Sequence, residues 1–378
     1  MTMDTPVTDH VLGVRPSLDA LSLRLKIGAL SAAVKVGRPA VLALRVSKNE
    51  RRVLAAEYGA DAFALSGRIR KTDKAPTRVD PATAAQINQS IASFRNAGGE
   101  VIIKGYPDRG WGLDIPSGPG LTRMEASIFG TRPSRLDAER VAYVVDRNGL
   151  YFDGRVVTDL EKCLDETEPG FWQADSTLQS FFKGVSSRNI QKYSEFQGRL
   201  TCTPPADAVL VVGQVSRDAA VAETITLART NFELAAFARA SFPNRPLYYK
   251  AHPLEKNAEA EAEIAKTFGC RIVNDDVSFN ALTHQFKTMV MMTSGAGLEA
   301  ALRGVEVHLT GVSFYSHRGF TVDHVALPPT RRKNQLAAID VYAAFLARYA
   351  KYARVGVDAP RERQSLTFAE FLLETGHL

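Results

Sequence analysis

Between residues 208 and 303 the chain repeats one pattern, and few folds accommodate it. A run of four or five mostly apolar residues stops at a turn of small residues or proline, and a helix-forming stretch follows. Residues 208–212 give way to Gly213-Gln214-Val215-Ser216-Arg217-Asp218, after which a long helix to Ala240 is expected. Residues 246–249, aromatic and β-prone, end at Lys250-Ala251-His252-Pro253 ahead of a helix over 255–268. Strands are expected at 271–273 and 288–292, the second stopping at Thr293-Ser294. A helix over 294–303 follows, which Ser294 can cap and which carries Leu298, Ala301 and Leu302 on one face. Such units in series imply a parallel sheet, because parallel neighbours need a long crossover. The ligands of such sheets bind beyond the carboxyl ends of the strands.

The polar residues of this half therefore stand where a ligand is expected. The turn Ser294-Gly295-Ala296-Gly297 would aim backbone N–H groups and a helix N-terminus at an anion. Lys250 and His252 would add charge or donors from the neighbouring strand end, and Glu299 suits an acceptor for sugar hydroxyls. The pattern reads as a phosphate and ribose site for a nucleotide or nucleotide sugar. A Thr-Ser-Gly turn or a His-Pro pair alone is ordinary in an α/β domain; the reading rests on their arrival together in successive units.

The first half has a rhythm of its own. A helix is expected over 17–36, a strand over 40–46, a helix over 48–58 and a strand over 61–65. After a basic loop, Asp80-Pro81 opens a helix that Gly98-Gly99 closes, and 101–104 is a third strand. Residues 105–120 break the alternation with glycines, prolines and Trp111. Residues 121–129 and 141–145 read as strands, and Asp146-Arg147-Asn148-Gly149 reads as a hairpin turn into 150–152. Helices are expected over 158–164 and 178–196, then at 337–352 and 366–375, where they would pack back on the domain junction.

A chain of 378 residues exceeds what one core supports, so two domains are expected. Pro204-Pro205-Ala206-Asp207 marks the linker, giving an N-terminal α/β domain over 1–204, a second over 205–335, and terminal helices over 336–378. No stretch approaches the ~20 apolar residues that span a bilayer, and the opening residues lack a secretory pattern, so a cytoplasmic location is expected. Cys163, Cys202 and Cys270 are odd in number and in no ligand spacing, which predicts reduced, mostly buried thiols and no metal. A net charge of +6 favours anionic partners, such as a nucleotide, an acidic sugar or the inner face of a membrane. The basic runs at 68–74 and 331–333 lack interleaved aromatics and read as solvated loops, so nucleic acid is not expected.

The ordered motifs resemble one family, the capsule polysaccharide biosynthesis proteins of the Kps type, which are β-Kdo glycosyltransferases. The resemblance runs through Leu210-Val211-Val212-Gly213-Gln214-Val215 with Asp218, then Lys250-Ala251-His252-Pro253. It continues through Thr293-Ser294 with Gly297-Leu298-Glu299-Ala300, His308, Phe314-Tyr315 and Thr321-Val322-Asp323. In the first half it is carried by Arg123-Met124-Glu125, by residues 144–153, by Asp159-Leu160-Glu161 and by Lys192-Tyr193-Ser194.

The resemblance implies an α/β fold of GT-B type, with two Rossmann-like domains facing a central cleft. It implies transfer of Kdo from CMP-β-Kdo, with retention, to a surface polysaccharide or glycolipid acceptor, and no metal or other cofactor. On the matching positions His252, beside Pro253, would contact the CMP phosphate with Lys250 in support. Thr293, Ser294, Gly295 and Gly297 would continue the cradle, Glu299 would hold the ribose, and Gly213-Gln214 would line the donor cleft. Charge adds Lys192 as a partner for the Kdo carboxylate. One departure stands out. After Arg123 and Glu125 the family places an aspartate nucleophile, and this chain has Ala126. Double displacement needs a carboxylate there. An engineered replacement, a naturally inactive copy, or a nucleophile placed elsewhere all remain open, with Glu125 a candidate acid/base. Two other readings stand beside this one: another nucleotide-sugar enzyme of the same fold (an epimerase or a uridine-donor transferase) and a non-catalytic CMP-binding homologue.

Overall fold

The computed structural model describes residues 20–38, 40–44, 46, 54, 63–67, 81–106, 113–129, 140–187, 198–215, 217–255, 257–273, 276–354 and 365–377. Apart from Leu54, the helix expected over 48–58 lies outside them, as do the basic run 68–74, Trp111 and Lys192. In chain order the elements begin with α1 (Ala20–Lys35), β1 (Ala40–Leu44), β2 (Phe63–Gly67), α2 (Pro81–Asn96), β3 (Glu100–Lys104), β4 (Leu121–Ala126) and β5 (Arg140–Asp146). Then come α3 (Asp159–Asp165), α4 (Ser176–Ser187), β6 (Val209–Val212), α5 (Ala219–Ala222), α6 (Asn231–Ser241), β7 (Leu247–Lys250), α7 (Ala258–Phe268) and β8 (Cys270–Ile272). The remainder are α8 (Phe279–Gln285), β9 (Thr288–Met291), α9 (Ala296–Ala301), β10 (Glu306–Leu309), β11 (Thr321–Asp323), α10 (Ala338–Ala344), β12 (Lys351–Arg354), β13 (Ser365–Leu366) and α11 (Phe368–Thr375). No helix of the described residues is long and apolar enough to cross a membrane.

The chain forms two compact units. Met1–Ala126, Arg135–Asn148 and Lys351–Leu366 make unit 1, and Ser127–Ser134, Gly149–Ala350 and Thr367–Leu378 make unit 2. Each has its own sheet. In unit 1 the strand order is β13-β12-β5-β4-β3-β1-β2. β1 to β4 pair in parallel, whereas β5, β12 and β13 are antiparallel to their neighbours. The sheet is buried on both faces. Leu42, Leu44, Val101 and Ile103 pack with Ile87, Ile91 and Phe94 of α2, while Val41, Ala43, Ile102 and Met124 form a second layer beneath.

Several expectations meet a competing interaction here. The hairpin at 146–149 does not form: β5 already pairs with β4 on one edge and β12 on the other, so no edge is left for 150–152. Instead the Asp146 carboxylate accepts the Asn148 N–H at 2.8 Å, and Leu150 is buried. The linker expected at 204–207 lies inside unit 2, because residues 149–187 pack with that unit. Tyr151 meets Phe314 and Phe345 edge-on at 5.3 Å, and Phe181 meets Phe368 at 5.5 Å. The long helix expected before Ala240 is split into α5 and α6, since Thr230 and Glu233 form a capping box that starts α6 anew. The helix expected over 337–352 ends early; a π-turn follows α10, and the chain then contributes β12 to unit 1. Of the three free thiols Cys270 is buried and Cys202 exposed.

Unit 2 contains a six-stranded, wholly parallel sheet of order β11-β10-β9-β6-β7-β8. The basic run 331–333 is not the solvated loop expected of it. Arg331 donates to both Glu161 carboxylate oxygens, at 2.8 and 2.5 Å, and to the carbonyls of Gly154 and Val156. Arg332, 5% exposed, adds a 3.2 Å bond to Glu161 and bonds to the Ser313 and Ser316 carbonyls. Arg318, wholly buried, pairs with Asp165 and reaches the Glu161 carbonyl. The α3 carboxylates thereby hold the segment from Ser313 to Arg332, which sequence offset alone does not reveal. Burial would raise the Glu161 carboxyl, but the hydrogen bonds and charges of Arg331 and Arg332 outweigh it and hold it below its ordinary value. Burial pushes the Arg332 guanidinium down to about 10, so it stays charged at neutral pH.

Removing one member of a buried ion cluster strands the others, so Glu161→Ala should cost about 3–5 kcal/mol in urea unfolding. The Glu161 contribution is fully present above the unfolded carboxyl range, near ~4.3, and is lost as pH falls through the lower folded value. Wild type should therefore lose this increment on acidification, and Glu161→Gln should show a shallower acid limb in the same titration.

Candidate functional site

The strand order of unit 2 has one reversal. From β6 the chain moves outward to β7 and β8, then returns past them to β9 and moves the other way to β10 and β11. The crossovers to β7 and β8 put α6 and α7 over one face, where Leu234, Ala235 and Ile264 pack on Val209, Val211 and Tyr249. β6 and β9 are direct neighbours, with Val211 opposite Val290. Their carboxyl ends therefore flank the topological switch point, the place where open α/β sheets bind ligands. Gly213-Gln214 follows one of these strands and Thr293-Ser294-Gly295 the other.

Gln214 clasps the two ends together. Its side chain is 3% exposed, so its amide must find partners inside the protein. Nε2 donates to Asp218 Oδ2 at 3.0 Å and to Thr293 Oγ1 at 3.1 Å, while Oε1 accepts the Thr293 N–H at 3.2 Å. The Thr293 hydroxyl in turn donates to the Ala220 carbonyl at 3.0 Å. The Gln214 backbone is held as well: its N–H donates to Asn231 Oδ1 at 2.9 Å, and its carbonyl accepts from Asn231 Nδ2 at 3.0 Å. Gly213 is required by close approach, since a Cβ there would come within 2.6 Å of the Tyr249 hydroxyl.

The corner after β9 differs from the expected cap. Gly295, not Ser294, is the N-cap residue of α9, and it makes no side-chain bond. The Ser294 hydroxyl accepts the Ala296 N–H at 3.3 Å, and the N–H groups of Gly297 and Leu298 donate to the Ser294 and Gly295 carbonyls. The following N–H groups, expected to form the cradle, are thus already engaged. Those of Ser294 and Gly295 carry no partner among the described residues. Tyr315, fully buried, fixes the turn by donating to the Ser294 carbonyl at 2.6 Å. Its phenol lies where any Cβ on Gly297 would fall, 2.0 Å away, so Gly297 lets α9 approach Tyr315. Glu299 is buried on the first turn of α9, close enough to α10 that, after burial, its charge helps hold the Tyr342 phenol above its ordinary value.

At the end of β7, Lys250 is buried on the face opposite Tyr249, and its Nζ lies 3.4 Å from the Ala251 carbonyl. His252 is half-buried beside Pro253. Its Nδ1 accepts the Leu254 N–H at 3.1 Å, so a neutral ring carries its proton on Nε2 as a donor. The two corners and the β7 end thus gather Gly213, Gln214, Lys250, His252, Pro253, Thr293, Ser294, Gly295, Gly297 and Glu299 in one unit. Asn231 and Tyr249 join them without any motif to announce them.

Arg123, Glu125 and Ala126 belong to unit 1, on β4. Arg123 is buried, donates to the Gly105 carbonyl at 2.9 Å, lies 4.1 Å over the Tyr106 ring, and stands opposite Asp146 in the β4–β5 ladder. Glu125 is half-buried, and its Oε1 accepts the Ala126 N–H at 2.9 Å. Ala126 is 7% exposed.

A family model described as capsule polysaccharide biosynthesis protein matches residues 173–357. The chain is 28% identical over 252 residues to the lipopolysaccharide-processing protein LpsZ of Rhizobium meliloti, covering 63% of this chain and 56% of that one. It is 27% identical over 230 residues to the capsule polysaccharide modification protein LipA of Neisseria meningitidis serogroup B, covering 56% of this chain and 30% of that one. It therefore spans about half or less of the length of these curated relatives. Among solved structures, the beta Kdo 2,7 transferase of Thermosulfurimonas dismutans KpsC matches with a TM-score of 0.58 at 20% identity, over 86% of this chain and 95% of that one. The beta Kdo 2,4 transferase of the same KpsC matches with a TM-score of 0.58 at 18% identity, over 88% and 97%. Residues 173–357 thus match the capsule polysaccharide biosynthesis family model, and the chain has the α/β fold of these KpsC structures.

Proposed function

We propose that the chain is a glycosyltransferase of surface polysaccharide assembly whose donor is CMP-β-Kdo. The observation that carries the reading is the switch-point corner, where the N–H groups of Ser294 and Gly295 carry no partner among the described residues after β9, and the half-buried His252 follows β7, the two strands flanking β6. A phosphate there would accept from the two amides and from His252 Nε2, with the buried Lys250 ammonium adding charge. Gln214 acts indirectly, by fixing the distance between the two strand ends. Glu299 would accept from ribose hydroxyls. The names of the KpsC structures and of the LpsZ and LipA relatives support Kdo and a polysaccharide or glycolipid acceptor. A net charge of +6 suits acidic sugars and attachment at the inner face of the cytoplasmic membrane.

Retention would proceed by double displacement. A carboxylate attacks the anomeric carbon as CMP leaves; the acceptor hydroxyl then attacks the glycosyl-enzyme and frees the carboxylate. Ala126 offers a methyl group at the position of the expected nucleophile, while the donor corner keeps its residues. The chain as it stands thus binds donor and lacks the covalent step, with Glu125 beside position 126 as acid/base.

Two measurements test this. CMP should raise the melting temperature of the full chain where UDP does not. His252→Ala should weaken CMP in calorimetry by about tenfold or more, the worth of one charge-assisted hydrogen bond at about 1.5–3 kcal/mol. Equal shifts with UDP would point to a uridine donor. Separately, Ala126→Asp should create Kdo transfer and a covalent Kdo adduct visible by intact mass. CMP binding without turnover in that variant would make the chain a donor-binding homologue and remove the nucleophile assignment.

A further inference from the structure

A cavity of ≈ 180 Å³ opens in unit 2 between the N-terminus of α6, the carboxyl end of β7 and α7, with Asn231, Tyr249, Ala251, Glu255, Glu261 and Ile264 in its wall. Two of these residues also build the switch-point corner. Asn231 holds the Gln214 backbone by two hydrogen bonds, and the Tyr249 hydroxyl lies against Gly213. The cavity therefore adjoins the phosphate corner and lies on the α6–α7 face of the sheet.

Its chemistry differs from that of the corner. Ala251 and Ile264 give it an apolar floor beside the flat Tyr249 ring, and none of its lining residues is basic. Glu255 and Glu261 present carboxylates, which accept hydrogen bonds and repel phosphate. They lie close enough to Tyr249 to add to burial in holding its phenol above the ordinary value. Tyr249 is only 2% exposed, yet its hydroxyl makes no hydrogen bond with the described residues. Tyr249 lines the cavity, so this hydroxyl is a donor available to a group that enters it. Pockets for whole ligands measure about 300–1,000 Å³, so this one has room for a single ring.

We infer that the cavity takes the base of the donor nucleotide, and that its carboxylates select a pyrimidine bearing an exocyclic amine over one bearing a carbonyl at that position. The inference rests on the nucleotide reading above and adds the source of its base preference. A cytosine amine donates to a glutamate, whereas a uracil carbonyl would meet the same carboxylate oxygen to oxygen. The Tyr249 hydroxyl supplies the donor for the remaining ring carbonyl.

Calorimetry of the full chain with CMP and UMP tests this. Wild type should bind CMP at least about tenfold more tightly than UMP, the lower end of what one discriminating base contact is worth. Glu255→Gln with Glu261→Gln should reduce that preference to within about threefold, and Tyr249→Phe should weaken CMP by up to about tenfold, one neutral hydrogen bond. Ala260→Trp, which fills the cavity from the partly exposed side of α7, should abolish CMP binding with the melting temperature held. Cytidine, lacking the phosphate, should show the same sensitivity to these variants and none to His252→Ala. If CMP binds and the carboxylate and cavity-filling variants change neither affinity nor preference, the base lies elsewhere and this inference is overturned while the nucleotide reading stands. If wild type binds no CMP at all, the nucleotide reading itself fails.

Discussion

The side-chain amide of Gln214 joins the carboxyl ends of β6 and β9, and the candidate site depends on that bond pattern. Two parallel strands that diverge into separate crossovers leave their terminal N–H groups unpaired, and a buried orphan of this kind costs about 1–3 kcal/mol. Gln214 meets the Thr293 N–H, the Thr293 hydroxyl and Asp218 with one planar group. Every donor and acceptor of the amide is used, so its orientation is fixed by its surroundings. With Thr293 held, the next two N–H groups, of Ser294 and Gly295, are those left to a ligand.

The packing around the corner serves the same end. Tyr315 secures the Ser294 carbonyl from below, and the absent side chain of Gly297 lets α9 come close enough for it to do so. Further out, Glu161 and Asp165 of α3 pair with Arg331, Arg332 and Arg318, which brackets the segment that carries Tyr315. Such a cluster gains little over apolar packing of the same volume but fails badly when one charge is removed. Its effect here is to hold one conformation of an otherwise irregular segment.

Much of this was legible in the sequence. Runs of apolar residues ending at 212, 249 and 292 point to the parallel sheet of unit 2, and the ordered motifs resemble the family whose model matches residues 173–357. What escaped lay in pairings distant along the chain. Residues 150–152 looked like a strand, but β12, from the other end of the sequence, had taken the edge of β5. Arg331 and Arg332 looked solvated because Glu161 is 170 residues away along the chain. Ser294 looked like a cap, yet its hydroxyl serves a short turn and Gly295 begins the helix. Local pattern reports what a segment can become; a buried polar partner decides which of its groups remain available.

The central claim is that the corner formed by β6 and β9 receives the nucleotide phosphate. A crystal structure of the full chain with CMP tests it most directly. The account predicts phosphate oxygens within hydrogen-bonding reach, about 2.7–3.2 Å, of the Ser294 and Gly295 N–H groups and of His252. Ordered CMP elsewhere on the protein, with that corner empty, would contradict it.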